Sequence, residues 1–123
     1  LTVRQMALTI YHNPRCSKSR ETLALIREAG FEPNIVRYLE ETPDAAQILD
    51  LASRLGKPVA GLLRRGEAQF RVATDLPALD DDEALAAWVA AHPIVLERPI
   101  VVDTDSGRAV LGRPPGNVAE LLP

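Results

Sequence analysis

The opening third of the chain alternates between β-rich and helical patterns, and this alternation constrains the fold more than any other feature. ALTIY (7–11) is a short apolar run followed by an Asn-Pro turn signal, which is typical of a buried strand. A helical pattern begins at Ser17 or Ser19 and ends at Gly30, and NIVRYL (34–39) is a second β-rich run. The sequence therefore predicts strand, helix, strand.

The rest of the chain predicts further helices and a hairpin. TPDAAQILDLASRLG (42–56) has a threonine as N-cap, a proline at the first helical position and a glycine after the end. DDDEALAAWVAAH (80–92) predicts another helix, whose acidic start suits helix capping. PIVVD (99–103) and RAVLG (108–112) predict a hairpin, and PPGNVAELL (114–122) a short last helix. These elements predict a small α/β domain with a four-stranded mixed sheet.

The length and charge of the chain limit its possible functions. With 123 residues, 46% of them hydrophobic, residues 7–123 are expected to form one domain, with helices over about 43–92 interposed, while residues 1–6 receive no role. The formal net charge of −3 disfavours binding to nucleic acid or an anionic membrane, so an anion site needs a local cluster of basic residues. The sequence contains neither an apolar run of about 20 residues nor a signal-peptide pattern. We therefore expect a cytoplasmic monomer.

The single cysteine lies at the predicted start of the first helix, in YHNPRCSKSRETL (11–23). A thiol reacts as its thiolate, and unpaired N–H groups at a helix N-terminus together with nearby cations stabilise that anion. The same N–H groups can hold a tetrahedral oxyanion. Arg15 and Lys18 make an inert, buried Cys16 the less favoured alternative. Cys16 is therefore predicted to be a reactive nucleophile.

The residues around Cys16 narrow the possible chemistry. Ser19 stands where a C-x-x-C motif would carry its second cysteine, so a resolving thiol must come from another molecule, with glutathione the natural candidate. A cysteine phosphatase loop of the form C-x5-R is excluded, because position 22 is Thr22. His12 either tunes the thiol or is an ordinary turn histidine. The two histidines and the cysteine do not have the spacing of a zinc site, so no metal is expected.

These motifs together resemble a known family. YHNPRCSKSRETL, YLEETP, LLRR, ERPIVV and GRPP, in this order, resemble the glutaredoxin-linked arsenate reductases over residues 7–123, and HNPRCSKSR is similar to one subgroup of them. The resemblance implies a thioredoxin-like fold with a helical insertion. It also implies that Cys16 and His12 are the catalytic residues, and that the proline of ERPIVV has a cis peptide bond.

The resemblance further implies an oxyanion-binding set. Matching the motifs places its three arginines at Arg64, Arg98 and Arg113, with Ser19 added to the set and Arg65 as the alternative to Arg64. Arginine suits the role because its planar, permanently protonated guanidinium group can donate several hydrogen bonds to one oxyanion.

The implied activity is reduction of arsenate to arsenite. The Cys16 thiolate attacks arsenate, glutathione adds as co-substrate, and glutaredoxin reduces the adduct without a bound cofactor. Two alternatives stay open. The first is a glutathione-dependent thiol or disulfide reductase acting on another substrate. The second, less favoured because Ser19 replaces the second cysteine of a redox switch, is a transcriptional adaptor.

Overall fold

The computed structural model describes residues 4–123 and divides the chain into two compact units. One unit comprises the chain up to Tyr38 together with Arg98–Pro123, and the other is Leu39–Glu97. Of the predicted N-terminal extension 1–6, residues 1–3 lie outside the described residues. The predicted insertion, about 43–92, falls within the second unit. No helix of the described part is long and apolar enough to span a membrane.

The first unit contains a four-stranded sheet of order β2-β1-β3-β4. Strand β1 (Arg4–His12) pairs in parallel with β2 (Phe31–Arg37) and antiparallel with β3 (Ile100–Asp103), which pairs antiparallel with β4 (Ala109–Leu111). This mixed sheet and its helices confirm the predicted α/β class. Strand β1 starts three residues before the predicted run and β2 also lies earlier than predicted, because strand pairing extends both beyond their apolar centres.

Helix α1 (Ser17–Glu28) connects the two parallel strands and packs on the sheet. Along β1, Leu8, Ile10 and His12 are buried, and they lie on one face because side chains of a strand alternate. Leu8 and Ile10 join Leu23 and Ile26 of α1 in the hydrophobic core. The histidine therefore continues a row of core residues into the end of the strand.

The second unit is helical. Its α-helices are α2 (Ala45–Leu55), α3 (Ala68–Arg71) and α4 (Asp82–Ala91), with 3-10 turns at Val59–Leu62 and Pro93–Val95.

The start of α2 differs from the prediction, whereas its end agrees. Thr42 is not the N-cap: Asp44 accepts a hydrogen bond from the Gln47 N–H and the Gln47 side chain bonds back, which forms a capping box. This reciprocal pair satisfies two backbone donors of the first turn, so the helix begins two residues later. Gly56 ends α2 with a positive φ of 66°, as predicted.

The chain ends in a 3-10 helix, Pro115–Leu121, where a short helix was predicted. Val118 and Leu121 contribute to the core of the first unit. Gly112, which directly follows β4, lies tightly against two neighbours: a Cβ there would be 2.5 Å from Thr22 Oγ1 and 2.7 Å from Pro99 Cγ. Only glycine allows the end of β4 to approach α1 this closely.

Candidate active site

Cys16 is the N-cap residue of α1. Its backbone is extended, its N–H donates to the Asn13 carbonyl at 3.0 Å, and its carbonyl accepts from the Arg20 N–H at 3.0 Å. The first N–H groups of a helix have no intrahelical acceptor. Those of Lys18 and Ser19 act on the Cys16 sulfur. The turn before α1 thus places the thiol where the helix offers free donors, as the sequence predicts.

Two arginines reach the same sulfur from the β3–β4 hairpin. Arg113 Nη2 lies 3.7 Å from Cys16 Sγ, and Arg113 Nε donates to the Arg98 carbonyl at 2.8 Å. The Arg98 side chain also hydrogen-bonds the thiol. Arg98-Pro99 has the cis peptide bond that the sequence predicts, and Arg113-Pro114 is cis as well. Two guanidinium groups therefore converge on one half-buried sulfur.

The pKa of Cys16 reflects opposing effects. Burial of the thiol is the largest single effect and by itself raises the pKa. The Ser19 N–H, the Arg98 hydrogen bond, the Lys18 N–H and the Arg98 charge together outweigh it, and the pKa lies below its ordinary value. The site therefore favours a thiolate.

Ser19 connects the thiol site to His12. Ser19 is completely buried, its Oγ lies 2.6 Å from His12 Nδ1, and Oγ also accepts the Asn13 N–H at 3.0 Å. Nδ1 is the one described acceptor within reach of the Ser19 hydroxyl proton. We therefore assign the imidazole the tautomer with its proton on Nε2.

His12 is held neutral in this arrangement. Burial is the main cause that lowers its pKa, and the positive charges of Arg37, Arg27 and Arg20 lower it further. His12 is thus connected to the thiol site through Ser19 without adding a positive charge, and its catalytic role stays a prediction.

Comparison with known proteins identifies the family of this chain. The model of the ArsC family matches residues 11–121. The chain belongs to the ArsC family. An arsenate reductase of Neisseria meningitidis is 41% identical over 117 residues, 94% of this chain and 97% of that protein. The uncharacterized protein YfgD of Escherichia coli is 46% identical over 114 residues, 92% and 94% of the two chains.

A solved arsenate reductase of Vibrio cholerae matches 97% of this chain and 100% of its own, with a TM-score of 0.84 and 41% identity. The predicted thioredoxin-like fold of the family is thereby confirmed.

Ser19 and Arg64 were also predicted to bind the oxyanion, with Arg65 as the alternative to Arg64. Ser19 directs its hydroxyl to His12 and Asn13, so its backbone N–H is the group that faces the thiol. Arg64 belongs to the second unit, where its Nε lies 3.4 Å from Glu67 Oε1, and Arg65 is exposed there. Oxyanion binding by Ser19 and Arg64 stays a prediction.

Asn13 was not among the site residues predicted from the sequence. Asn13 is buried, its Oδ1 accepts the Arg15 N–H at 3.0 Å, its carbonyl accepts the Cys16 N–H, and its own N–H donates to Ser19. The signal was present, because asparagine before proline favours a turn in which its side chain bonds the backbone two residues on. Asn13 thus fixes the turn that carries the cysteine.

Proposed function

We propose that this protein reduces arsenate to arsenite through attack of the Cys16 thiolate. One observation carries the proposal: Arg113 Nη2 lies 3.7 Å from the Cys16 sulfur, and Arg98 hydrogen-bonds the same thiol at a helix N-terminus. A nucleophile surrounded by two guanidinium groups and free N–H donors suits a tetrahedral oxyanion better than a neutral substrate. The arsenate reductases among the relatives support the choice of arsenic.

The first chemical step joins sulfur to arsenic. Cys16 Sγ attacks arsenate, an S–As bond forms, and one oxygen leaves as water after protonation. Arg98 and Arg113 offset the negative charge of the oxyanion as it approaches the thiolate. Arg64 supplies a third guanidinium group in the predicted set.

Reduction then requires two external thiols, because the chain has one cysteine. Glutathione replaces a second oxygen, which leaves as water, and a bond forms between its sulfur and arsenic. A glutaredoxin thiolate attacks that glutathione sulfur and forms a mixed disulfide with it. The bond between glutathione sulfur and arsenic breaks, and its electron pair reduces arsenic(V) to arsenic(III). Hydrolysis releases arsenite and restores Cys16. The proposal includes cytoplasmic location, where such thiols are available, and a contribution to arsenical resistance.

Turnover by the purified protein tests the proposal. Arsenite formation is measured with arsenate, glutathione, glutaredoxin and recycling by NADPH, and wild type is compared with Cys16→Ser. We expect turnover in wild type and none in Cys16→Ser, because a hydroxyl is far less nucleophilic than a thiolate at neutral pH. Ser17→Ala, an exposed neighbour, is the control and should retain turnover. Absence of cysteine-dependent arsenite formation would refute the proposal.

A further inference from the structure

A cavity of about 530 Å³ lies along α1, and its lining includes His12 and Pro14, which precede Cys16 by four and two positions. Its lining is mostly hydrocarbon but includes charged groups, and it consists of His12, Pro14, Arg20, Leu23, Ala24, Arg27 and Glu28. None of these residues has a role in the steps proposed above except His12. The cavity is therefore a separate feature of the first unit.

The positions of the lining residues along α1 show how far the cavity lies from Cys16. Arg20, Ala24 and Arg27 follow Cys16 by four, eight and eleven positions, so they lie on the side of α1 that begins at the thiol. At 1.5 Å per residue, Arg20 is about 6 Å and Ala24 about 12 Å along the helix axis from Cys16. An extended tripeptide spans about 10 Å. A tripeptide with its sulfur at Cys16 would therefore reach into the cavity.

The charges around the cavity favour an anion. Arg20 Nη1 donates to the Pro14 carbonyl at 3.0 Å, which fixes this guanidinium group at the cavity. Arg20 and Arg37 have no carboxylate partner among residues 7–123, whereas Arg27 is paired with Glu32 at 2.9 Å and 3.0 Å. The charges of Arg37, Arg27 and Arg20 all act on His12, in the wall of the cavity. With Glu28 of the lining and Glu32 counted against the three arginines, positive charge exceeds negative charge by one on this side of α1.

His12 adds a neutral hydrogen-bonding group to the lining of the cavity. Its side chain is more than nine-tenths buried, and its Nδ1 is occupied by Ser19. Nε2–H has no hydrogen-bond acceptor among the side chains of residues 7–123, and it is the polar edge that His12 can present to the cavity. A carboxylate or peptide carbonyl would satisfy this donor.

We propose that this cavity binds the peptide part of an anionic tripeptide thiol, of the chemical class of glutathione. A carboxylate of the ligand binds Arg20, its apolar atoms pack on Leu23 and Ala24, and its sulfur points to Cys16. Glu28, an exposed carboxylate at the cavity, suits the ammonium group of the same ligand. The inference rests on the proposed function for the need of an external thiol, and adds where that thiol binds.

Reaction with glutathione disulfide tests the proposal without arsenate. The Cys16 thiolate attacks one sulfur of the disulfide, a new S–S bond forms, and a glutathione thiolate leaves with the electron pair. The rate is followed by the mass of the modified protein. The uncharged bis(2-hydroxyethyl) disulfide reacts at the same thiol by the same chemistry and reports the intrinsic reactivity of Cys16.

Arg20→Ala removes the proposed carboxylate partner, and Ala24→Phe fills the cavity at an exposed position without changing charge. We expect Arg20→Ala to slow the reaction with glutathione disulfide about tenfold, the usual scale for one charge-assisted contact. Ala24→Phe should also slow it about tenfold, because the phenyl ring occupies the space proposed for the ligand. The reaction with the uncharged disulfide should change less than about twofold, since the thiol itself is intact.

Arg15→Ala is the matched control, because Arg15 is an exposed cation directly before Cys16 in sequence and does not line the cavity. The same tenfold loss in the control would indicate general charge attraction, and equal slowing with both disulfides in Arg20→Ala would indicate a change in the thiol itself. Either result, or no slowing with glutathione disulfide in Arg20→Ala, would overturn the proposal. Because no arsenate is present, failure here is distinct from failure of arsenate reduction.

Discussion

At the residue scale, the reactivity of Cys16 depends on groups that compensate for its burial. Burial alone raises the pKa of the thiol, and the Ser19 N–H and the Arg98 guanidinium are the strongest groups that lower it. Arg98 therefore has two roles in the proposed reaction, since it stabilises the thiolate before the oxyanion arrives and binds the oxyanion afterwards. The two roles share one side chain and should respond together to its removal.

Alkylation of Cys16 by iodoacetamide across a pH series measures this effect. The rate rises with the thiolate fraction, so a lowered pKa places the midpoint below that of a free cysteine, and reactivity is lost as pH falls through it. Arg98→Ala should move the midpoint upward, because a hydrogen bond and a charge that favour the thiolate are removed. Arg108→Ala, on the same hairpin, is the control. A midpoint that Arg98→Ala leaves unchanged would contradict the assigned cause.

Ser19→Ala tests the buried connection to His12. The substitution leaves His12 Nδ1 and the Asn13 N–H without their described partner in a buried environment. We expect the free energy of unfolding to fall by about 2 kcal/mol, as measured in urea. Ser17→Ala, two residues before Ser19 and at an exposed position, should change the free energy of unfolding by less than about 0.5 kcal/mol. Equal effects of the two substitutions would argue against the connection.

At the element scale, the thiol site forms where the start of helix α1 meets the ends of strands β3 and β4. Helix α1 supplies the cysteine and its N–H donors, whereas the ends of β3 and β4 supply Arg98 and Arg113. Gly112 allows these parts to approach, since its N–H donates to the Pro99 carbonyl at 2.9 Å and its α-carbon faces Thr22. The distance from Arg113 to the thiol therefore depends on the absence of a side chain at position 112.

Gly112→Ala should both destabilise the fold and disturb the site. A Cβ would lie 2.5 Å from Thr22 Oγ1 and 2.7 Å from Pro99 Cγ, so backbone or side chains must shift. We expect a loss of about 1–3 kcal/mol in thermal or urea unfolding, and weaker oxyanion binding. Gly116→Ala is the matched control, because nothing lies within 4 Å of its Cβ position. A loss no greater than in the control would contradict the close approach.

At the scale of the whole molecule, the charge is unevenly distributed. The unit with the thiol has nine Lys and Arg against six Asp and Glu, a formal charge of +3. Residues 39–97 have five Lys and Arg against eleven Asp and Glu, a formal charge of −6. The formal net charge of −3 is therefore the sum of a negatively charged unit and a positively charged one, and the positively charged unit carries Cys16, Arg98 and Arg113 of the proposed oxyanion site.

The salt dependence of the alkylation of Cys16 should report the positive charge of this unit. Iodoacetate is an anion and iodoacetamide is neutral, yet both alkylate the same thiol. We expect added salt to slow the reaction of Cys16 with iodoacetate several-fold more than that with iodoacetamide, since salt screens the attraction of an anion to the site. Any change in the thiol pKa affects both reagents alike and cancels in the ratio. A ratio independent of salt would contradict electrostatic attraction at the site.

Much of the fold could be predicted because local patterns agree with the final structure. The αL glycine at Gly56, the strand alternation around Ile10 and the cysteine at the start of α1 are local features. Boundaries were less predictable: Thr42 and Asp44 are both good N-cap residues, and the reciprocal bonds with Gln47 favour the second. A pattern of residue types does not reveal which of two competing side-chain bonds forms.

The sequence by itself determined the α/β element order, the reactive position of Cys16 and, through its motifs, the family. Tertiary structure decided which groups act on the thiol. In the folded chain the Ser19 hydroxyl lies against His12, and burial lowers the pKa of His12 so that it is neutral. The absence of a side chain at Gly112 allows Arg113 to lie 3.7 Å from the sulfur. The physical reason is distance: hydrogen bonds and desolvation depend on separations of a few ångströms between residues that lie from 7 to 97 positions apart in sequence, and only packing of the folded chain sets these separations.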